Sequence, residues 1–414
     1  MPFGISADTS LVALEIVPEA SFGVTPVTPA MEALRTTGET LKQNTSTDRE
    51  NELRGDRQPG FITRTNVNAG GDTNHLLSYS ALDTLIETAL LSSVWTADQS
   101  IAAGNLTVAV GDLTNAPVVK GFIGGGDDAF LGLAPGDVVQ VGKVNAFATP
   151  ANNGLFRVVA VEHSDSPTTE NDELRVEGLT TLVDEANPGG SGVDFDIPSY
   201  AENGVVCRSH TIRRRYLDIG TVSVFTGLAI DAWNMQVGAQ GNVESNFTWL
   251  GKNESSVDIA GATVTTAPAF KPYSGVDNVQ GILENGEVIE LRDVSLALAN
   301  GLRERNIIGT LGPNDLGVST LALSGSLEFY YSAGREVIYD RYLDFTGSRL
   351  AIVMADADGQ GYWFDIGDIN FDDGQRNAPQ GDDDVLGTLS WAANRETLTD
   401  RTFRVYRTTA IPVA

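Results

Sequence analysis

The chain has 414 residues, with 27 Lys and Arg against 55 Asp and Glu, for a formal net charge of −28. With 41 % hydrophobic and 20 % charged residues it can bury a core, which excludes wholesale disorder. At about 150 residues per domain the length suggests two or three domains. Such an acidic balance speaks against a nucleic-acid clamp, which needs a basic face, and against docking on anionic lipid.

Residues 1–33 read as an N-terminal arm, because Pro18, Pro26 and Pro29 interrupt an extended, turn-rich stretch. It is either a free terminus or a strap that orders on a neighbouring subunit. Residues 34–97 form the first part of a unit. The stretch 42–60 is polar and loop-like, and it interleaves Lys42, Asp48, Arg49, Glu50, Glu52, Arg54, Asp56 and Arg57. A strand pair is expected around Gly70-Gly71, then a short helix over 80–92. Leu82, Leu85, Ile86, Ala89 and Leu90 share one face of that helix, Ser78 or Ser80 would cap it, and Asp83 lies in its first turn. Residues 98–205 change character. NLTVAV, GDVVQVG, GLFRVVAVE and ELRVEGL are short strands between turns, Asn152-Asn153-Gly154 among them, and read as a small β-barrel or sandwich inserted into the first unit.

Strands resume over 206–254 and complete that first unit. Residues 255–284, rich in Ala, Thr, Pro and Gly, read as a linker. Residues 285–414 form the last unit and a C-terminal strand or arm. Leu321, Leu323, Gly325, Leu327 and Phe329 alternate on one face, a short helix follows over 334–345, and a hairpin spans 349–373. The two flanking units share their order of parts: a strand, a polar loop with Gly and Pro (Gly55–Pro59 and Gly309–Pro313), a strand pair, then a helix. That is an internal repeat by pattern rather than by letter.

Searches for chemistry fail in turn. The single Cys207 rules out an intrachain disulfide and a multi-cysteine zinc site, and fits synthesis in a reducing cytosol. His75, His163 and His210 are too scattered for a metal cage. No apolar run of about 18 residues is present, and the N-terminus lacks the basic-then-apolar order of a secretory signal. Gly136–Val144 superficially has the look of a phosphate loop, but the spacing is one residue too long and Val144 stands where Ser or Thr is required. The DxDG at Asp356 suggests calcium, yet the twelfth position of that loop is Gly367 and the flanks read as strand. Asp382–Asp384 reads as solvated loop. Arg213–Arg215, the one basic cluster, is expected to pair with a neighbour's carboxylates. No catalytic, cofactor-binding or metal residues are assigned.

The stretches 41–95 and 294–371 resemble the tail tube (major tail) protein of long-tailed bacteriophages. The resemblance rests on Asp48-Arg49 and Asp56-Arg57 in the polar loop, on a helix ending in Trp95, and on Asn300, Leu302, Ile308-Gly309, Gly325, Leu327 and Tyr330. It implies a mainly-β fold with short helices (α+β): tandem β-sandwich or barrel modules with one flanking helix each. It also implies a virion structural protein, made in the host cytoplasm, whose stacked rings form a tail tube with an acidic lumen. Six modules per ring and two per chain imply a trimeric ring with pseudo-sixfold symmetry, a hexameric ring being the alternative. The implied partners are further copies of the chain, a tape-measure protein, tail terminator and baseplate or tip proteins, and DNA in transit; no cofactor or membrane is implied. Within this reading Lys42, Asp48, Arg49, Arg54, Asp56 and Arg57 are expected to form a ring-stacking loop, and the insertion is expected on the outside. A capsid decoration protein is one alternative. A carbohydrate-binding or hydrolytic β-protein, using Tyr362–Asp365, is another.

Overall fold

The computed structural model describes residues 6–53, 55, 58–106, 108–114, 119–125, 129–162, 172–188, 192–377 and 384–409. The chain first lays down β1 (Val12–Pro18), β2 (Ala30–Leu34), β3 (Gly38–Glu39), β4 (Lys42–Arg49) and the long β5 (Ile62–Leu76), then helix α1 (Asp83–Ala89). Seven strands follow that pair only with one another: β6 (Gln99–Leu106), β7 (Val108–Asp112), β8 (Lys120–Gly124), β9 (Val138–Val141), β10 (Gly154–Glu162), β11 (Asp172–Gly178) and β12 (Val193–Ile197). The main body resumes with β13 (Ser199–Glu202), β14 (His210–Tyr216), β15 (Thr221–Gly238), β16 (Glu244–Gly251), β17 (Asn253–Ser255) and β18 (Thr263–Thr265). Its second half comprises β19 (Val279–Glu284), β20 (Glu287–Ile289), β21 (Asp293–Ala299), β22 (Arg303–Arg305), β23 (Asp315–Gly317) and β24 (Ala322–Tyr330). Helix α2 (Glu336–Leu343) comes next, then β25 (Ser348–Ala355), β26 (Gly361–Asn377), β27 (Leu386–Ala393) and β28 (Phe403–Thr408).

The two halves run through the same antiparallel pairings. In the first, the path is β4-β5-β16-β15-β14-β1-β2. In the second it is β21-β24-β27-β26-β25-β19-β20. β15 and β26, at 18 and 17 residues, are the corresponding long strands. Each pairs with one strand along its first part, β14 or β25, and with another along its last part, β16 or β27. The match extends to irregularities. Asp231 is bulged out of β15 just past the Ile230–Trp249 pair, and Asp372 is bulged out of β26 just past the Phe371–Trp391 pair. Trp249 and Trp391 are both fully buried, opposite Gly71 and Gly325.

Those glycines are sterically required. A Cβ on Gly325 would stand 2.0 Å from the Ser295 carbonyl oxygen and 2.5 Å from the Trp391 ring, and one on Gly71 would meet the Thr40 carbonyl oxygen at 2.5 Å. Gly70 and Gly71 therefore let one continuous strand, β5, pass its neighbours rather than turning a strand pair. Helix α1 also differs in its start. Its N-cap is Leu82, whose side chain has no oxygen to cap with, and Ser80 gives its N–H to the Tyr362 hydroxyl at 2.8 Å.

Two segments expected to lie outside the core are in it. The supposed arm supplies β1 and β2, which bury Leu14, Ile16, Val17, Met31 and Leu34. The supposed linker supplies β18, the buried Tyr273 and the core strand β19. Pro and Gly punctuation marks the turns of these segments, while their few apolar residues carry the burial. The stretch 42–49 is no loop but β4, paired with β5 up to Arg49–Ile62 with one register shift between Ser46 and Thr47, every residue of it exposed. The insertion also ends earlier than residue 205, since β13 pairs with β28 of the main sheet. Nor is it self-contained. Its core runs on into Leu283, Ala351, Val353, Ala355, Trp363 and Tyr406 of the second half.

Candidate assembly interface

Eight strands form one unbroken antiparallel run: β4-β5-β16-β15-β21-β24-β27-β26. One face lies on the core, with Trp233, Phe247, Trp249, Leu296, Leu327 and Trp391. The residues between them face solvent, as the period of two requires. That solvent face is built of small polar side chains such as Asn246, Thr248, Asn234, Ser295, Ser324, Ser326 and Thr388. It carries Asp72, Glu244, Asp293, Glu328 and Asp373; Lys42 lies on it, and Arg292 reaches Glu328 at 2.7 Å. Thr248 donates to Asp72 at 2.7 Å, and Gln236 to Asp293 at 3.2 Å.

Midway through this run lies a seam between the halves. β15 pairs with β21 over seven residue pairs, from Ala232–Ala299 to Gly238–Asp293. The bulged Asp231 locks the strand leaving the seam: its carbonyl accepts from Asn300 N at 2.7 Å and its carboxylate from Leu302 N at 2.6 Å. Both ends of the run are open. The outer edge of β4, the counterpart of β21, pairs with no strand among the described residues; one amide there, Gln43 N, is held by the Glu254 carboxylate at 3.2 Å. The edge of β26 over 370–377, the counterpart of the β15 edge, is likewise unpaired among the described residues, and Asp372 is exposed beside it. Unpaired edges of this length are templates for another strand.

Of the residues expected in a stacking loop, Lys42 lies on the solvent face at the β4 edge, and Asp48 and Arg49 lie at the outer end of the β4–β5 hairpin. Arg54, Asp56 and Arg57 lie outside the described residues, as do His163, Asp382 and Asp383. The basic triplet meets the chain's own acids. Arg213 is paired with Glu15 and, at 3.0 Å, Asp258; Arg214 with Glu39 at 2.7 Å; Arg215 with Glu15 at 3.2 Å. Asp356 closes the β25–β26 hairpin, accepting from the amides of Asp358 and Gln360 at 2.9 Å, which is the role of a turn residue. Tyr362, Trp363, Phe364 and Asp365 are all interior, so they offer no sugar platform.

One cluster of buried charge lies where the insertion meets the second half. Arg157 of β10 reaches Asp365 at 3.2 Å and Glu396 at 2.6 Å. Burial pushes the Asp365 carboxyl above its ordinary range, with Arg157 pulling the other way and Glu396 reinforcing the rise. The adjoining cavity of about 10 Å3 has room for about one water, so the cluster serves as an anchor. The buried rings of His75 and His210 are both held neutral, pushed down to about 4 by burial. Among the described residues no group of three or more His, Cys, Asp or Glu could hold a metal ion.

The open edges were invisible to residue-type reasoning. Their signal is the paired short motifs Thr248-Trp249 with Ser390-Trp391, and Ile230-Asp231 with Phe371-Asp372. A family model described as phage tail tube protein matches residues 9–393. No curated protein matches the chain.

Proposed function

The chain belongs to the phage tail tube protein family, and from that premise we propose that copies join head to tail, the β26 edge of one receiving β4 of the next. The observation that carries this is the β15–β21 seam. Because β26 corresponds to β15 and β4 to β21, the internal seam gives the register of the external one: Asp373 opposite Asn44, Gly374 opposite Gln43, Gln375 opposite Lys42. A heterologous contact of this kind closes into a ring when each step repeats the same rotation. Three chains then supply six modules to a ring, and stacked rings make the tube.

Placing the solvent face of the eight strands on the lumen gives a wall of small polar and acidic groups. Such a wall, its carboxylates outnumbering its cations, repels phosphate, as a conduit requires. The tape-measure protein occupies the same lumen before DNA does, with terminator and tip proteins at the ends. The role is structural rather than enzymatic, and its place is the virion tail. Cryo-microscopy of tubes grown from the purified chain tests the reading, with three chains per ring expected. Six chains per ring, or rings whose subunit contact leaves the β26 edge bare, would overturn it.

A further inference from the structure

The segment beyond the seam has its own internal template. Past Ala299–Ala322 the second half steps four residues on one strand and five on the other to reach Arg303–Gly317, the start of the β22–β23 hairpin. Past Asn44–Asn68 the first half takes the same four and five to reach Asp48–Thr63. So Arg49 and Ile62 correspond to Glu304 and Leu316. The β22–β23 hairpin does not stand free. It leans across the first half, where Glu304 accepts from Asn66 at 3.2 Å and from Asn68, and Leu316 lines a cleft with Leu91, just past the end of α1.

The counterpart of Leu91 is Phe345. Each stands two residues beyond the end of its helix with a positive φ, 50° and 49°. Leu91 is 9 % exposed, whereas Phe345 is 66 % exposed. The residues two before them differ in the same way: Ala89 is buried and Leu343 is 60 % exposed. Asp372, the counterpart of the Asp231 that holds Asn300 and Leu302, makes no such bond among the described residues. Meanwhile the β4–β5 hairpin carries Phe61 and Ile62 in the open, at 75 % and 59 %. The second half thus has a bare receptor, and the first half a bare hairpin that matches it.

We propose that the β4–β5 hairpin of one copy docks on the end of α2 of the adjacent copy in the same ring, with Ile62 set against Phe345 and Leu343, and with the backbone at Thr45 and Thr47 donating to Asp372. This rests on the ring reading and adds a second contact to it. Charge supports the same occupant. Hairpin one reads Asp48-Arg49-Glu50 where hairpin two reads Arg303-Glu304-Arg305, so neighbouring hairpins around a ring alternate opposite charge orders. Asp48 and Arg49 then act between subunits of one ring. Leu53 and Ile308 are bare at the two hairpin tips.

The test uses pairs of full-length chains in a Cys207→Ser background, one member of each pair tagged, co-assembled and treated with a short bismaleimide. Chains carrying Ile62→Cys and Phe345→Cys should give a mixed covalent dimer in tubes. Chains carrying Lys42→Cys and Gln375→Cys report the seam. Dimers from both pairs support the docking. Seam dimers without a 62–345 dimer overturn the docking and leave the ring reading standing, while no dimers from either pair overturn both. Independently, hydrogen exchange of the unaltered chain should slow at 61–63 and 343–345 on assembly; unchanged exchange there overturns the docking even if the cysteine chains fail to enter tubes.

Discussion

Arg157→Met removes the one cation between two buried carboxylates. Arg157, Asp365 and Glu396 have side chains 5 %, 8 % and 8 % exposed, so water does not replace the lost partner. Breaking a buried pair from one side costs about 3–5 kcal/mol, because an uncompensated charge stays in the interior. Met keeps most of the packing volume, which confines the loss to electrostatics. Arg157 belongs to the insertion and both acids to the second half, so the deficit should appear as early release of residues 98–197. Urea unfolding followed by tryptophan fluorescence, with Trp363 beside the cluster, reads the loss; limited proteolysis reads where it begins. The pH dependence follows from Asp365. Its folded carboxyl already titrates above the ordinary value, and losing Arg157 raises it further. A raised acid binds its proton in the fold at a pH where the unfolded chain has released it, so stability is lost as pH rises through the folded value. The deficit of Arg157→Met is therefore largest near neutrality and shrinks in acid. Adding Asp365→Asn and Glu396→Gln should recover most of it. A loss below about 1 kcal/mol at neutral pH, or one independent of pH, would refute the claim that these carboxylates are desolvated.

Gly325→Ala should prevent stable folding of the second half, since its Cβ meets backbone at 2.0 Å; soluble protein with unchanged circular dichroism would contradict the close-approach argument. The buried imidazoles make the fold acid-sensitive. Their pKa values near 4 lie below the ordinary 6.5, so the unfolded chain takes up protons first, and each should remove up to about 1.4 kcal/mol per pH unit between about pH 6.5 and 4. His75→Phe, which copies Phe329 at the corresponding place, should flatten that acid slope in urea melts at pH 7 and pH 5, and an unchanged slope would show that His75 is not a source of it.

Much of the architecture is written locally. The alternation of Leu323, Leu327 and Phe329, the three- and four-residue spacing around Leu85 and Ile86, and the turn chemistry at Asn152–Gly154 each decide an element within a few residues, because side-chain period and turn dihedrals are short-range properties. The repeat was legible as an order of parts. Segments with weak local signals were not legible. Residues 12–18 and 279–284 look like parts of an arm and a linker, yet each forms a strand at the same station of its half, where β14 and β25 supply the hydrogen bonds the segment lacks alone. Polar β4 is a strand only because β5 holds it. The same holds for the assembly surfaces. That β26 has a free edge, that Asp372 repeats Asp231, and that Phe345 is bare where Leu91 is covered are facts about partners distant in sequence. Composition and periodicity carry no information about which edge is left without one; only the folded pairing of all eight strands does.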